Sequence, residues 1–579
     1  METFDLVIRG GEVHDGRGSP PRSADVGISD GRIRAIGPIG PGAGPEIDAG
    51  GCIVTPGFVD IHTHYDGQAT WGSRLSPSCL HGVTTVVMGN CGVGFAPVRP
   101  ADRARLIEVM EGIEDIPGVA LHEGLAWNWE SFPEYLDTLD ARQFDVDVAA
   151  QVPHAALRLY VMGERGARLE PARPDDIDEM RRIVADALRA GALGFTTSRT
   201  RNHRTSAGDP TPSLRAEEAE LEGIALALAA TGSGVMQFIS DFSSRQGDEF
   251  GMIERVVSAS TRPASISLAQ SHAKPDHWRG LMERIAASAR RGLEIRAQVA
   301  PRPIGVMLGL QTTYGPFQNC PSFREIAELP LPRIVETMRQ GDFRQRLLEE
   351  VRVWPGWGLG ATAVPIDYRS VFRLGDPPDY EPAPEKSIAA MASRRGVSAE
   401  EVAYELLLEN DGRALLLMPF ANFAQGTLDP VREMLAHERS VLGLGDGGAH
   451  VGIISDASFT TYLLSHWARD RERGRFELPF AIRKMTSMTA EAVGLHDRGV
   501  LDVGMKADVN VIDLDALAIE VPEIVHDLPA GGKRLLQRGR GYRATIVSGM
   551  PTYLDGAETG ALPGRLLRGG RPDPRSQAT

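Results

Sequence analysis

The chain is predicted to be an α/β protein: a (β/α)8 TIM-like barrel with a small β-sandwich domain formed by its N- and C-terminal segments. Three observations predict it. In the middle of the chain, short apolar strands end in polar or glycine positions and are followed by helical patterns, a βα rhythm that repeats about eight times. Both ends instead alternate short apolar runs with Asp-Gly and Gly-Gly turns, the signature of hairpins. At 579 residues the chain is also too long for one small core.

Residues 1–56 supply the first part of the sandwich through Phe4 to Ile8, Asp25 to Ile28 and Arg32 to Ile36. The barrel follows over 57–498, with strands expected at 52–62, 84–88, 146–152, 191–196, 234–239, 264–268, 293–299 and 441–445. The helix expected over 175–190 shows the spacing most clearly. Ile177, Met180, Val184 and Leu188 fall on one face, Pro174 and Asp175 mark its start, and Gly191 marks its stop. Prolines and aromatics break the rhythm over about 301–384, which is read as an insertion lying over the barrel mouth. Residues 499–555 complete the sandwich, including the run Ala507 to Asp513 and the run Tyr542 to Gly549. The Arg-, Gly- and Pro-rich end, 556–579, is expected to be a loose tail.

Composition narrows the function classes. The formal charge of 62 − 77 = −15 disfavours nucleic acid and anionic membranes as main partners, while a small ligand is compatible with it. No apolar run is long enough to span a bilayer and no secretory leader is visible. Four cysteines (Cys52, Cys79, Cys91 and Cys320) are too few for a disulfide scaffold and suit a reducing, cytoplasmic setting. Self-assembly is compatible with the sequence.

The residues that carry chemistry gather at strand ends. Val59-Asp60-Ile61-His62-Thr63-His64 closes the first barrel strand, and residues two apart on a strand point to one side. His62 and His64 can therefore face one metal ion, and imidazole suits zinc, iron or nickel. Taken alone, such a pair is as readily the polar end of a strand. Cys91 follows the second strand, His272 and Lys274 the sixth, and Asp446 and His450 the eighth. Individually Cys91 also reads as a small core residue, His272 as a satisfied polar group and Asp446 as a turn former. Their placement at the same end of a barrel, where such active sites form, is what joins them.

Pro56-Gly57-Phe58-Val59-Asp60-Ile61-His62-Thr63-His64, with Cys91, His272 and Asp446 downstream, resembles the amidohydrolase superfamily. Within it the chain looks like the D-aminoacylase (N-acyl-D-amino-acid deacylase) group. Supporting stretches are His81 to Gly92, Arg158 to Gly163, Gly194 to Arg199 and Gly504 to Val511. The resemblance implies a hydrolase of carbon–nitrogen bonds other than peptide bonds, acting on a small N-acyl substrate. It implies metal ligands His62, His64, Cys91, His272 and Asp446, with one catalytic zinc ion expected. Asp446 would serve as general base and then acid, Lys274 would hold the substrate carboxylate, and His450 would line the mouth. Many binuclear members bridge their metals with a carbamylated lysine after the fourth strand. Here no lysine precedes Lys274, which agrees with a cysteine in that role.

The sequence departs from the group in three places. Gln237 stands where a histidine is expected after the fifth strand, and an amide is a poorer zinc ligand. No arginine follows Asp446 within Gly447 to Asp456, and Gln298-Val299-Ala300-Pro301-Arg302 replaces a tyrosine-bearing stretch. A hydantoinase-like cyclic-amide hydrolase or a deaminase of the same superfamily is the alternative enzyme. A degenerate barrel that binds ligand or metal without catalysis is the alternative of another class. His154 and His203 remain further polar candidates near strand ends.

Overall fold

The structure, a computed structural model, describes residues 3–243, 247–354, 356, 366–454 and 456–577. Its centre is an eight-stranded, wholly parallel sheet. We number these strands β1 (Phe58–Asp60), β2 (Val83–Met88), β3 (Asp147–Pro153), β4 (Gly194–Arg199), β5 (Val235–Ser240), β6 (Ala264–Ser267), β7 (Ile295–Val299) and β8 (Ser440–Leu442). Every neighbour along the path β1 to β8 is its neighbour in sequence. The ring is closed by a parallel bridge between Thr63 and Gly447, with His64 N–H donating to Gly447 O at 2.8 Å. Helices follow the strands as the βα rhythm predicts. In Pro174–Ala190 the proline takes the first turn, Asp176 accepts the Arg173 N–H at 2.8 Å, and Met180, Val184 and Leu188 are buried.

The run expected as one strand over 52–62 is divided. Ile53–Pro56 belongs to the terminal sheet, and only Phe58–Asp60 enters the barrel. Gly57 makes the junction, where a Cβ would stand 2.2 Å from Thr84 Oγ1 and so could not be accommodated. The two ends of the chain meet in one continuous nine-stranded sheet, joined where Ile53–Pro56 pairs antiparallel with Val509–Ile512. Its apolar core mixes Ile8, Val26 and Val54 with Val509, Ala544 and Ile546.

The insertion has its own three-stranded sheet, whose central strand is Leu416–Ala421, beyond the expected limit of 384. A separate core running from Val306 to Met418 supports it. Part of the expected insertion, residues 355 and 357–365, lies outside the described residues.

The expected loose tail is a correction. Leu566 bridges Val148, Leu567 is buried, and Arg571 bridges Leu495. Leu567 packs with Val59, Val87, Ala149, Leu193 and Val441, so it stops the barrel at the N-terminal ends of its strands. An apolar pair inside a polar stretch is a weak sequence signal, and its contacts are all with residues far away in the chain.

Candidate active site

The site is built on the C-terminal ends of the strands. Beyond β1, Asp60 Oδ1 accepts the His62 N–H at 3.1 Å, and Thr63 N–H and its hydroxyl both reach Val87 O. This ties the His62–His64 segment to β2 and presents both rings inward, buried. Gln298 on β7 fixes the first ring: His62 Nδ1 lies 2.6 Å from Gln298 Oε1, and Gln298 Nε2 donates to Ser265 Oγ at 2.8 Å. With the amide oxygen turned to Nδ1, that nitrogen must carry the proton, leaving the Nε2 lone pair for the site.

Cys91 sits in the tight turn after β2 with φ of 54°, a left-handed conformation that costs a non-glycine residue about 1–2 kcal/mol. Other strands hold it there. Gln237 Oε1 accepts the Cys91 N–H at 3.1 Å, and Thr196 Oγ1 accepts the Gly92 N–H at 3.0 Å. The ligand atoms of His62, His64 and Cys91 consequently all lie within 4.8 Å of one another. Asp446, after β8, donates its N–H to His62 O and has φ of 47°. Its Oδ1 lies 3.3 Å from His62 Nε2 and 3.7 Å from His64 Nε2.

The electrostatics suit a cation. Burial favours a neutral His64, yet Glu114, Asp446 and Cys91 outweigh it and hold the pKa of this ring well above the usual value. Burial alone would raise the Asp446 carboxyl, but the rings of His62, His64 and His450 hold it well below the usual carboxylate range. Burial pushes the Cys91 thiol up to about 12, so a thiolate there requires a positive partner. Neither ring nitrogen of His64 has a hydrogen-bond partner among the described residues. Two imidazoles, a thiol and a carboxylate around one point, with no hydrogen bond to the His64 ring among the described residues, fit a zinc-type donor set.

Two expected residues lie elsewhere. β6 ends at Ser267, and by Ser271 the chain pairs with Ala421 of the insertion. That turn leaves His272 outside the ligand cluster and off the cavity wall, which Ser267 to Ser271 line instead. Lys274 is exposed and also stands off the cavity lining. Gln237 does not face the cluster with its oxygen free: besides holding Cys91, it donates from Nε2 to Ser267 Oγ at 3.1 Å. His450 does line the cavity, with Nε2 3.5 Å from Glu114 Oε2.

Sequence reasoning missed Glu114. It ends the helix Arg103–Glu114, is 1% exposed, and places Oε1 3.4 Å from His64 Nδ1. Neither of its oxygens has a hydrogen-bond partner among the described residues. A signal existed: Glu114 falls four residues after Met110 on the stripe of Leu106, Ile107 and Met110, a position where a carboxylate needs a reason. His203 lines the cavity with Nδ1 2.9 Å from Ser198 Oγ, and burial pushes its ring down to about 3. His154 is buried behind the barrel strands between Thr197 and Glu220, at 2.8 and 2.7 Å.

A family model described as amidohydrolase family matches residues 45–553. The chain belongs to the amidohydrolase family. It is 29% identical to the D-aminoacylase of Alcaligenes xylosoxydans xylosoxydans over 573 residues, covering 98% of each chain. It is also 29% identical to the N-acyl-D-glutamate deacylase of the same organism, over 98% of this chain and 97% of the relative. Among solved structures, a D-aminoacylase described as defining a novel subset of amidohydrolases superposes with a TM-score of 0.65 at 24% identity, over 98% of this chain and all of that one. An N-acyl-D-glutamate deacylase from Bordetella bronchiseptica, complexed with zinc and a phosphonate mimic of the tetrahedral intermediate, gives 0.63 at 24%, again over 98% of this chain and all of that one. The two structures share the fold of this amidohydrolase.

Proposed function

We propose that this amidohydrolase is a metal-dependent deacylase that cleaves the amide C–N bond of a small N-acyl compound, with Asp446 moving the proton. The observation that carries this is the convergence of His62, His64 and Cys91 within 4.8 Å, with Asp446 Oδ1 3.3 Å from His62 Nε2. His62, His64 and Cys91 would hold one zinc ion, beside Asp446. When bound, zinc supplies Lewis-acid polarisation of a carbonyl and lowers the pKa of water. Asp446 accepts the proton of the attacking water and returns it to the leaving amine. Gln298 keeps His62 in the tautomer that leaves Nε2 free. Gln237 and Ser267 pair with each other along the walls of β5 and β6, which supports one ion rather than two. Among the described residues no helix is long and apolar enough to cross a membrane. All four cysteines are free and buried, which supports a reducing compartment such as the cytoplasm.

The test is metal analysis of the zinc-loaded protein together with amine release from a panel of N-acyl-D-amino acids, N-acyl-L-amino acids and N-acyl amines. One ion per chain and release from at least one substrate class are expected. A loaded protein that releases amine from none of them, or an Asp446→Asn variant that works as well as the wild type, overturns the proposal.

A further inference from the structure

The cavity beside the metal cluster has a volume of about 520 Å³ and is bounded by two kinds of surface. Three carboxylates line it: Glu114 and Asp446 beside the cluster, and Asp241 just beyond β5. Asp241 is fixed in place by the Thr200 hydroxyl and by the Arg201 N–H at 3.1 Å. Much of the remaining lining is apolar. Ile239 lies on β5 with Phe242 just beyond it, Leu268 follows β6, and Trp278 stands on the helix His277–Arg290. The insertion adds Ile304 and Phe420. Phe420 is 43% exposed, a large aromatic left open at the mouth rather than packed away.

No lysine or arginine lines this cavity among the described residues. Two arginines borne by neighbouring elements are committed to carboxylates, while Arg201, between the lining residues Thr200 and Asn202, is exposed. Arg199 pairs with Glu249 at 2.7 Å, and Arg302 pairs with Asp456 at 2.8 Å with both side chains buried. Lys274, the residue expected to hold a carboxylate, is exposed and off the lining. A substrate carboxylate entering here gives up its hydration, finds no lysine or arginine among the described lining residues to replace it, and faces three carboxylates of the protein. An uncharged, apolar molecule loses nothing of the kind and covers the apolar wall.

We propose, on the deacylase reading above, that the substrate is a neutral N-acyl amine with an apolar substituent, not an N-acyl amino acid with a free carboxylate. The carbonyl lies toward the His62–His64–Cys91 cluster, and the apolar substituent lies along Leu268 and Trp278 toward Phe420.

The test compares three probes that share one skeleton: N-acetyl-D-phenylalanine, N-acetyl-L-phenylalanine and N-acetylphenethylamine, which has hydrogen in place of the carboxylate. With the zinc-loaded full-length protein, kcat/KM for the neutral amide is expected to exceed that for either anion by at least tenfold. A smaller ratio overturns the proposal. Binding of the same probes to the Asp446→Asn variant, measured by calorimetry, separates the two readings. Tighter binding of the neutral amide by tenfold or more supports the substrate class even if the wild type turns over none of the probes, an outcome that sinks only the hydrolase. Equal or tighter binding of an anion sinks the substrate class alone. Asp241→Asn is expected to narrow the ratio between neutral and anionic substrates by threefold or more. An unchanged ratio overturns the electrostatic origin of the preference.

Discussion

The two ends of the barrel are built from the same eight strands and handle their polar groups in opposite ways. At the N-terminal ends charge is buried and paired. Arg498 reaches Asp147 at 2.7 Å and Asp497 at 2.8 Å, Lys506 reaches Asp147 at 3.0 Å, and Leu567 closes the interior. At the C-terminal ends, the side chains of Glu114 and His64 are buried without hydrogen-bond partners among the described residues, and Cys91, Leu444, Asp446 and His450 all have positive φ. Strain and unmet polarity are unfavourable for folding and are retained where a ligand completes them. One end therefore contributes stability and the other contributes chemistry, and substitutions in the two should fail in different ways.

The largest expected effect is at the C-terminal end. Asp446→Asn should lower kcat by about 10³-fold, the scale of a lost general acid–base group, while thermal unfolding moves little. Steady-state kinetics beside a melting curve would check it, and a stability loss large enough to explain the activity loss would break the division. Arg498→Met is the counterpart at the other end. It leaves Asp147 buried beside Asp508 with only Lys506 to compensate, and should destabilise by about 3–5 kcal/mol. Activity per folded molecule should be kept, as read from active-site titration below the midpoint of unfolding.

The N-terminal end was the less legible of the two from sequence. The strand order and the positions of His62, His64, Cys91 and Asp446 follow from local patterns, because a strand end is marked by the residues beside it. The pairing of Arg498 with Asp147 spans 351 residues and leaves no local trace. The plug at Leu567 was hidden because composition near it reads as tail. His272 illustrates a different limit. It follows an apolar strand as a ligand should, but the strand stops at Ser267 and the chain leaves the barrel to pair with the insertion. Where a strand ends is set by its neighbours and by the insertion, neither of which the local pattern contains.

Leu567→Ala should cost about 2–3 kcal/mol through the cavity it opens under Val59 and Val441, measured by denaturant unfolding. A cost below about 0.5 kcal/mol would mean that the tail lies on the barrel without closing it. Glu114→Gln probes the opposite end. Its carboxylate, 3.4 Å from His64 Nδ1, would offset the charge of the ion, so its loss should weaken zinc affinity by about tenfold. Competition with a chromophoric chelator reads this without any substrate. Unchanged affinity would reduce Glu114 to a partner of His450 alone.

The smallest expected effect discriminates most sharply between the structure and the family resemblance. Lys274 occupies the position from which the D-aminoacylase group is expected to anchor a carboxylate, yet here its side chain is exposed, and its backbone carbonyl accepts the His277 N–H at 3.2 Å. A solvated, screened ammonium outside the cavity contributes little to binding within it. Lys274→Ala should therefore change kcat/KM by less than about twofold for neutral and anionic substrates alike, the size of an ordinary surface substitution. A loss of tenfold or more confined to the anions would bring Lys274 to the bound substrate, and the neutral-substrate assignment would fall with it. A small, equal change for both leaves the cavity as the structure draws it, with its positive charge confined to the metal cluster.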